Sequence, residues 1–483
     1  MNSMIDYEML PFVETCLVLQ SIFLNVLWIV LMMGWLSASD RFPKDTLGGG
    51  TPSSFHWMAS IGAFSIVLFV SVYFFEPIYW FLGFALAMGT FLSVLNPAFA
   101  LCFMMSMILM RPWEIMVNNE LMLEVPRFSM FFAAAWAAFY IFVMDRLSLR
   151  FHRVLLVLFA YAAWLLATSV VTPDPAETVR GFSDTIVRAV VLFYLIYTLI
   201  RDEFSVWAFK VTLVTILACV GLIAIVFWAE GYTDGGRIIA FGIFKNTNDV
   251  AAVMTLLLPL AATPFFRKSR LLEKVIAAVP VLIALGVMGL AQSRGAIMSL
   301  GAAAGVWAFL RIKRKALAAV LIFGILMGGY AATKVFNREA GDLEGSSESR
   351  KSFMISGIRM AIFNPVFGVG FGQFPSNYER YATEITHEFG KRTAHSSWIL
   401  ALAESGWVGL ALFMAFFILG AVVCGIQAAP RDPTWLLAAA SYGVSMTFLS
   451  HTYVLFPYIL VAGALVASKA RVAPRHSLPR RED

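Results

Sequence analysis

The chain has 483 residues, of which 60% are hydrophobic and only 14% are charged, and its mean hydropathy is +0.78. Soluble domains carry about 25% charged residues and about 45–50% apolar ones. So little charge cannot cover the surface of a water-soluble globule, which excludes a cytosolic enzyme, a fibrous protein and a disordered chain. The net charge of +6 would suggest nucleic acid as a partner only in a soluble protein. In a membrane protein, the positions of the cations between apolar segments are more informative, because they indicate orientation in the membrane.

Apolar segments long enough to cross a bilayer follow one another along most of the chain. A transmembrane helix needs about 20 mainly apolar residues. The candidate spans, in chain order, are Phe12–Leu36, Trp57–Phe75, Ile78–Leu95, Ala98–Met110, Phe128–Met144, Val154–Val171, Ile186–Ile200, Ser205–Trp228, Ala251–Phe266, Val275–Ala291, Gly295–Leu310, Ala316–Val335, Val408–Ile426, Thr434–Leu449 and Tyr453–Ser468. They predict an all-α polytopic integral membrane protein with about 12 to 15 transmembrane helices, since the segment ending at Met110 is short.

Lysine and arginine are concentrated in a few of the connecting segments. Clusters lie at residues 146–153, 267–274 and 311–315 and in the tail that begins at Lys469. Even numbers of candidate spans separate these clusters, so all four fall on one side of the membrane. The positive-inside rule makes that side cytoplasmic, and it predicts a cytoplasmic C-terminus.

The opposite, outer face is then formed by five connecting segments, of which one is much longer than the others. They are Pro173–Thr185, Glu230–Asp249, Gln292–Arg294, Phe336–Gly406 and Ser450–Thr452. The predicted organisation is an N-terminal span and linker over 1–56, transmembrane helices over 57–335, a long outer loop with short helices over 336–406, C-terminal transmembrane helices over 407–468 and a basic tail over 469–483. Within the long loop, Gly368-Val-Gly-Phe-Gly372 predicts a tight re-entrant turn.

Cations on the outer face oppose the usual charge bias, so each calls for a reason. Arg237 follows two glycines, Arg294 lies in a Ser-Arg-Gly turn between two apolar helices, and Arg350 follows a Ser-rich stretch. One interpretation is that such side chains are solvated at the interface. The other is that several arginines bind a diphosphate, because the planar guanidinium binds phosphate oxygens in bidentate fashion.

Histidine is the natural general base at neutral pH. His395 stands in Ala394-His-Ser-Ser-Trp398, directly before an apolar run, where Ser396 or Ser397 can cap a helix. A structural role at a helix entrance and a catalytic role are both open from this position alone. The neighbouring arginines favour the catalytic role.

These segments together resemble the O-antigen ligase and polymerase superfamily. The resemblance rests on Gly236-Arg237 before Phe244-Lys-Asn-Thr-Asn248, on Gln292-Ser-Arg-Gly-Ala296, on Arg350 before Phe363-Asn-Pro-Val-Phe-Gly-Val-Gly370, and on His395-Ser-Ser-Trp-Ile-Leu-Ala-Leu-Ala-Glu-Ser-Gly406. Ser396 stands where the family often has Asn. The resemblance covers roughly residues 237–409, and the first hundred or so residues have no obvious counterpart.

The resemblance implies a GT-C-like helical bundle in the bacterial inner membrane, with its active face periplasmic. It implies a glycosyltransferase without metal or other cofactor, which moves a glycan from undecaprenyl diphosphate to the lipid A core or to another glycan. By resemblance, Arg237, Arg294 and Arg350 would bind the diphosphate, and His395 with Arg294 would be catalytic. The expected partners are the lipid-linked donor, the acceptor and membrane lipid, without nucleic acid.

Two alternatives stay open. A repeat-unit polymerase belongs to the same superfamily as a ligase, and the sequence barely separates the two. A flippase for lipid-linked glycans belongs to another class. Transporters usually place charged residues near the midplane of the membrane, whereas here the polar groups gather at one face.

Overall fold

A computed structural model describes residues 13–39, 54–74, 80–111, 125–142, 150–240, 244, 246–313, 340–382 and 393–470. These residues are predominantly helical. Within them, the sheet consists of one antiparallel hairpin, β1 (Thr233–Asp234) with β2 (Arg237–Ile238). The all-α polytopic membrane class predicted from the sequence is confirmed.

The helices are numbered here in chain order. They are α1 (Val13–Ser39), α2 (Ser54–Phe74), α3 (Trp80–Leu95), α4 (Pro97–Met110), α5 (Val125–Phe142), α6 (Arg153–Ala167), α7 (Pro175–Phe182), α8 (Arg188–Leu199), α9 (Glu203–Ala229), α10 (Thr247–Ala261), α11 (Thr263–Phe266), α12 (Leu271–Ala291), α13 (Arg294–Arg311), α14 (Ala340–Phe363), α15 (Phe374–Tyr381), α16 (Ser397–Phe417), α17 (Cys424–Ala428), α18 (Thr434–Ser445) and α19 (Leu455–Lys469).

Six helical segments in the described part of the chain are long and apolar enough to cross a membrane. They are Glu14–Leu36, Arg153–Val171, Pro175–Leu199, Glu203–Ala229, Leu271–Ala291 and Ser397–Ala428. Shorter apolar helices accompany them, among them Pro97–Met110 and Thr247–Ala261. The predicted span Ala316–Val335 lies outside the described residues, so the number of spans in the whole chain stays a prediction.

Two of the predicted outer segments are more helical than expected. Residues 173–185 include α7, because the Asp174 carboxylate caps the helix by accepting the Glu177 amide at 3.0 Å and Pro175 occupies the first turn. The long segment contains the 24-residue α14 and the eight-residue α15, and α16 begins at Ser397. The tight turn predicted at Gly368–Gly372 is present, with positive φ angles at Gly368, Gly370 and Gly372.

The chain divides into two compact units. The first comprises residues 1–149, 195–219 and 466–483, and the second comprises 150–194 and 220–465. In the first unit, α4 is buried along its whole length and is capped by Asn96, whose side chain accepts the Ala98 amide. In the second unit, α10 packs on α12 and α18, α13 packs on α18, and α16 packs on α6 and α14. The candidate site lies in this second unit.

Candidate functional site

Four helix ends in the second unit meet around a cavity of about 340 Å³, here called the large cavity. Its lining includes Asn248 from the start of α10, Arg294 from the start of α13, Ser396 from the start of α16 and Ser445 from the end of α18. A helix N-terminus carries about half a positive charge and presents unpaired backbone N–H groups. Three such ends directed at one space suit an anion.

Arg294 is the first residue of α13, directly after the N-cap Ser293. The helix dipole opposes a cation at this position, so Arg294 adds to a local field that is already positive. Its side chain is exposed. The preceding residue, Gln292, ends α12 in the left-handed conformation with φ of 49°, which makes the reversal between the two helices tight.

Arg350 and Lys351 reach the large cavity from α14. Met354, on the same helix, also lines it, as do Phe448 and Leu449 from the segment after α18. The cavity therefore combines cationic side chains with apolar ones. Arg294 and Arg350, which are far apart in the sequence, line the same cavity.

His395 lines the large cavity from the segment before α16. Its backbone is left-handed, with φ of 49°, a conformation that is uncommon outside glycine but more frequent for His than for most residues. Its ring lies 5.5 Å from the Phe353 ring, centroid to centroid. Such backbone strain persists only where the surroundings hold it, and it is concentrated at functional sites.

Ser397 holds the chain on one side of His395. Its amide donates to the Met446 carbonyl at 2.8 Å, and its hydroxyl donates to the Leu449 carbonyl at 2.6 Å. Its hydroxyl also accepts the His451 amide at 2.9 Å, and its carbonyl accepts the Thr452 hydroxyl. The helix cap expected at Ser396 or Ser397 is Ser396, whereas Ser397 connects α16 to residues 446–452.

Arg237 is placed beside the large cavity and is not among the residues that line it. Gly235 and Gly236 both have positive φ angles and form the two-residue turn that carries Arg237 into β2. Its Nε donates to the Ala291 carbonyl at 2.9 Å, and a terminal nitrogen donates to Asn248 Oδ1 at 3.2 Å. The Ser293 hydroxyl donates to the same Asn248 oxygen, so Arg237 and Ser293 together fix that amide.

A second, small cavity of about 140 Å³ lies beside the first, and His395 and Leu449 line both. Its polar lining includes Asp249 and His451, whose carboxylate Oδ1 and ring Nε2 are 2.9 Å apart. Sequence reasoning missed this pair, because the two residues are 202 positions apart in the chain. The available signal was topological, since both were predicted to lie in outer-face segments.

The glycine-rich turn over residues 368–372 is interlocked with α16 by hydrogen bonds. The Ala403 and Glu404 carbonyls accept the Val369 and Gly370 amides. The buried Glu404 carboxylate accepts the amides of Gly372 and Phe374 at 3.0 and 2.9 Å. At Gly406, α16 leaves helical geometry with φ of 68° and ψ of −170°.

Residues 279–414 match the family model described as O-Antigen ligase. The matched segment includes Arg294, Arg350 and His395, as well as the interlocked turn. It confirms the resemblance to the O-antigen ligase superfamily over this part of the chain. No curated protein matches the chain. Among the described residues, no group of His, Cys, Asp and Glu side chains is arranged to hold a metal ion.

Proposed function

We propose that this chain, whose residues 279–414 match the family model described as O-Antigen ligase, transfers a glycan from undecaprenyl diphosphate to an acceptor at the periplasmic face of a bacterial inner membrane. The acceptor is the lipid A core for a ligase. For a polymerase it is another lipid-linked repeat, and this alternative stays within the same proposal.

The observation that supports this proposal is that Arg294, Arg350 and His395 line one cavity, which the N-termini of α10, α13 and α16 also border. Guanidinium groups and helix N-termini both bind phosphate oxygens. The Asn248 side-chain oxygen is engaged by Arg237 and Ser293, so its Nδ2 is the group left to donate to a bound anion. The apolar lining at Met354 and Phe448 suits the start of a polyprenyl chain.

The reaction is a single displacement. The acceptor hydroxyl oxygen forms a bond to the anomeric carbon of the donor while the bond from that carbon to the phosphate oxygen breaks. His395 takes the hydroxyl proton, and the electron pair of the broken bond stays on undecaprenyl diphosphate. Arg294 and Arg350 stabilise the charge that develops on this leaving group. The anomeric configuration is inverted.

The first test compares surface glycan and lipid-linked glycan from a strain that lacks the gene. Long polymer on undecaprenyl diphosphate with a bare lipid A core identifies a ligase. Single repeat units on the core or carrier identify a polymerase. Unchanged profiles for both contradict the proposal and favour transport or another acceptor.

The second test complements that strain with Arg294→Ala and His395→Ala. Loss of one group that stabilises a leaving anion costs about 100-fold to 1,000-fold in rate, and loss of a general base costs a similar factor. We therefore expect both variants to lack transfer while inserting into the membrane at wild-type levels. Arg294→Lys should retain part of the activity, because it keeps the charge and loses the bidentate geometry.

Arg188→Ala is the matched control. Arg188 is exposed and pairs with Asp184 on the same helical segment, and it lines neither cavity. Transfer by this variant should equal that of the wild type. Normal glycan display by Arg294→Ala and His395→Ala would refute the assignment of the site.

A further inference from the structure

The small cavity differs from the large one in the charge of its lining. Asn246, Asp249, Thr393, His395, Ser450 and His451 supply its polar groups. Among the lining residues that the structure describes, none is Arg or Lys. A carboxylate repels a diphosphate, whereas a mixture of carboxylate, amide and hydroxyl groups suits a neutral ligand with several hydroxyls.

Asp249 is held in place by a partly buried series of hydrogen bonds. His451 Nε2 lies 2.9 Å from Asp249 Oδ1, and Nδ1 lies 2.7 Å from the Tyr442 hydroxyl. A carboxylate oxygen accepts, so Nε2 donates to Asp249. Among the described residues, these bonds engage Oδ1 of Asp249, and its Oδ2 can accept from a ligand.

Ser450 adds a further polar group to the wall of the small cavity. Its hydroxyl is buried and has no hydrogen-bond partner among the described residues. Because buried polar groups are nearly always paired, a rotation of this side chain toward the cavity would let its hydroxyl pair with a ligand there. The volume of about 140 Å³ accommodates the hydroxyl-bearing part of a sugar.

We propose that the small cavity binds the acceptor sugar through its hydroxyl groups, with Asp249 as a binding residue and His451 as the positioning residue that orients it. This inference rests on the proposed function. In a single displacement the nucleophile attacks from the side opposite the leaving group. His395 forms part of both walls, so it lies between a diphosphate in the large cavity and a sugar in the small one. It can therefore take the proton from the attacking hydroxyl.

The test measures transfer by membranes that contain the full chain. The donor is the lipid-linked glycan accumulated by the deletion strain, and the acceptor fraction is the lipid A core glycolipid or lipid-linked repeat from the same strain. Each is titrated at a saturating level of the other. Asp249→Asn should raise the KM for the acceptor fraction at least about tenfold, as expected for losing about 1.4 kcal/mol of binding, and leave the KM for the donor within about twofold.

His451→Phe should raise the KM for the acceptor fraction in the same way. His451→Gln should raise it less, because a Gln amide can still donate to Asp249. Asp234→Asn, an exposed position in the hairpin outside both cavities, is the matched control. Ser450→Ala, which removes no hydrogen bond to another described residue, checks the site if Asp249→Asn lowers the amount of folded protein. It should raise the KM for the acceptor fraction.

An unchanged acceptor KM in both Asp249→Asn and Ser450→Ala overturns the acceptor site. A rise in the donor KM alone assigns the small cavity to the donor sugar and also overturns it. Equal rises in the donor KM and the acceptor KM show that Asp249 has a merely structural role, and they also overturn the acceptor site. In each of these cases wild-type transfer leaves the proposed function intact, whereas absence of transfer by the wild-type chain refutes both proposals.

Discussion

Two groups of residues at or near the large cavity are held in opposite ways. In α16, Ser397 and Glu404 are buried, and backbone groups of neighbouring segments pair with their polar atoms; this group is here called the interlocked side. Arg294 and Lys351, here called the cationic side, are exposed at the cavity wall. Ser397 holds the chain beside His395, and the cationic side stays available to a charged ligand.

This comparison predicts that substitutions on the interlocked side lower stability and that substitutions on the cationic side lower transfer without affecting folding. Arg294→Ala tests the cationic side. The largest effect on the interlocked side is expected at Gly406. Its φ of 68° with ψ of −170° belongs to a region that is essentially restricted to glycine, and other residues there cost about 1–3 kcal/mol.

We predict that Gly406→Ala prevents accumulation of the folded chain. A Cβ at this position would overlap the Val366 carbonyl oxygen and lie 2.6 Å from the Pro365 oxygen, and backbone atoms cannot move aside cheaply. Yield and thermal unfolding of the detergent-solubilised chain measure the effect. Gly289→Ala is the matched control, because nothing lies within 4 Å of its added Cβ and Ala favours a helix over Gly by about 1 kcal/mol. Equal stability of the two variants would contradict the interlock.

A smaller effect is expected for Ser397→Ala. The substitution removes one hydrogen bond to the Leu449 carbonyl and leaves the buried His451 amide without its acceptor, which costs about 1–3 kcal/mol for the unpaired group. Ser396→Ala removes a single cap contact at 3.5 Å and should cost less. Thermal unfolding of both variants ranks them. Transfer by Ser397→Ala should fall as well, because Ser397 positions His395. Unaltered transfer would show that the hydrogen bonds of Ser397 are not needed to position His395.

The sequence predicts the membrane class and most helices because apolar runs of helical length are a local property. The sequence also indicates Arg294, Arg350 and His395 as candidate site residues. Arginine opposes the usual charge bias in segments predicted to lie on the outer face, and histidine is the natural general base at neutral pH. Asp249 and His451 could not be paired in this way. Their hydrogen bond depends on how α10 meets the segment after α18, which is a tertiary property. The sequence analysis treats residues 173–185 as a connecting segment and does not predict α7. The reason is local, since the Asp174 cap and Pro175 favour a helix in a stretch that is too polar to be recognised as a span.

Arg237 tests whether an arginine near the large cavity is held by hydrogen bonds, as on the interlocked side, or available to a ligand, as on the cationic side. Resemblance assigns it to the diphosphate, whereas its nitrogens contact the Ala291 carbonyl and the Asn248 amide oxygen. If its role is to orient Asn248, Arg237→Ala should lower transfer about tenfold, corresponding to about 1.4 kcal/mol, which is less than Arg294→Ala. The double variant with Asn248→Ala should then lose no more than Asn248→Ala alone, because the two residues act as a unit.

Additive losses in that cycle, or a loss in Arg237→Ala as severe as in Arg294→Ala, would instead place Arg237 on the diphosphate itself. The distinction follows from geometry. A side chain that acts through Asn248 loses its function when Asn248 is removed, whereas one that binds phosphate oxygens directly does not. The measurement is the transfer rate at saturating donor and acceptor, together with the donor KM, which a direct contact would raise. Arg237 would then extend the cationic side of the cavity from α13 to the hairpin, and the field around the leaving group would come from three elements of the fold.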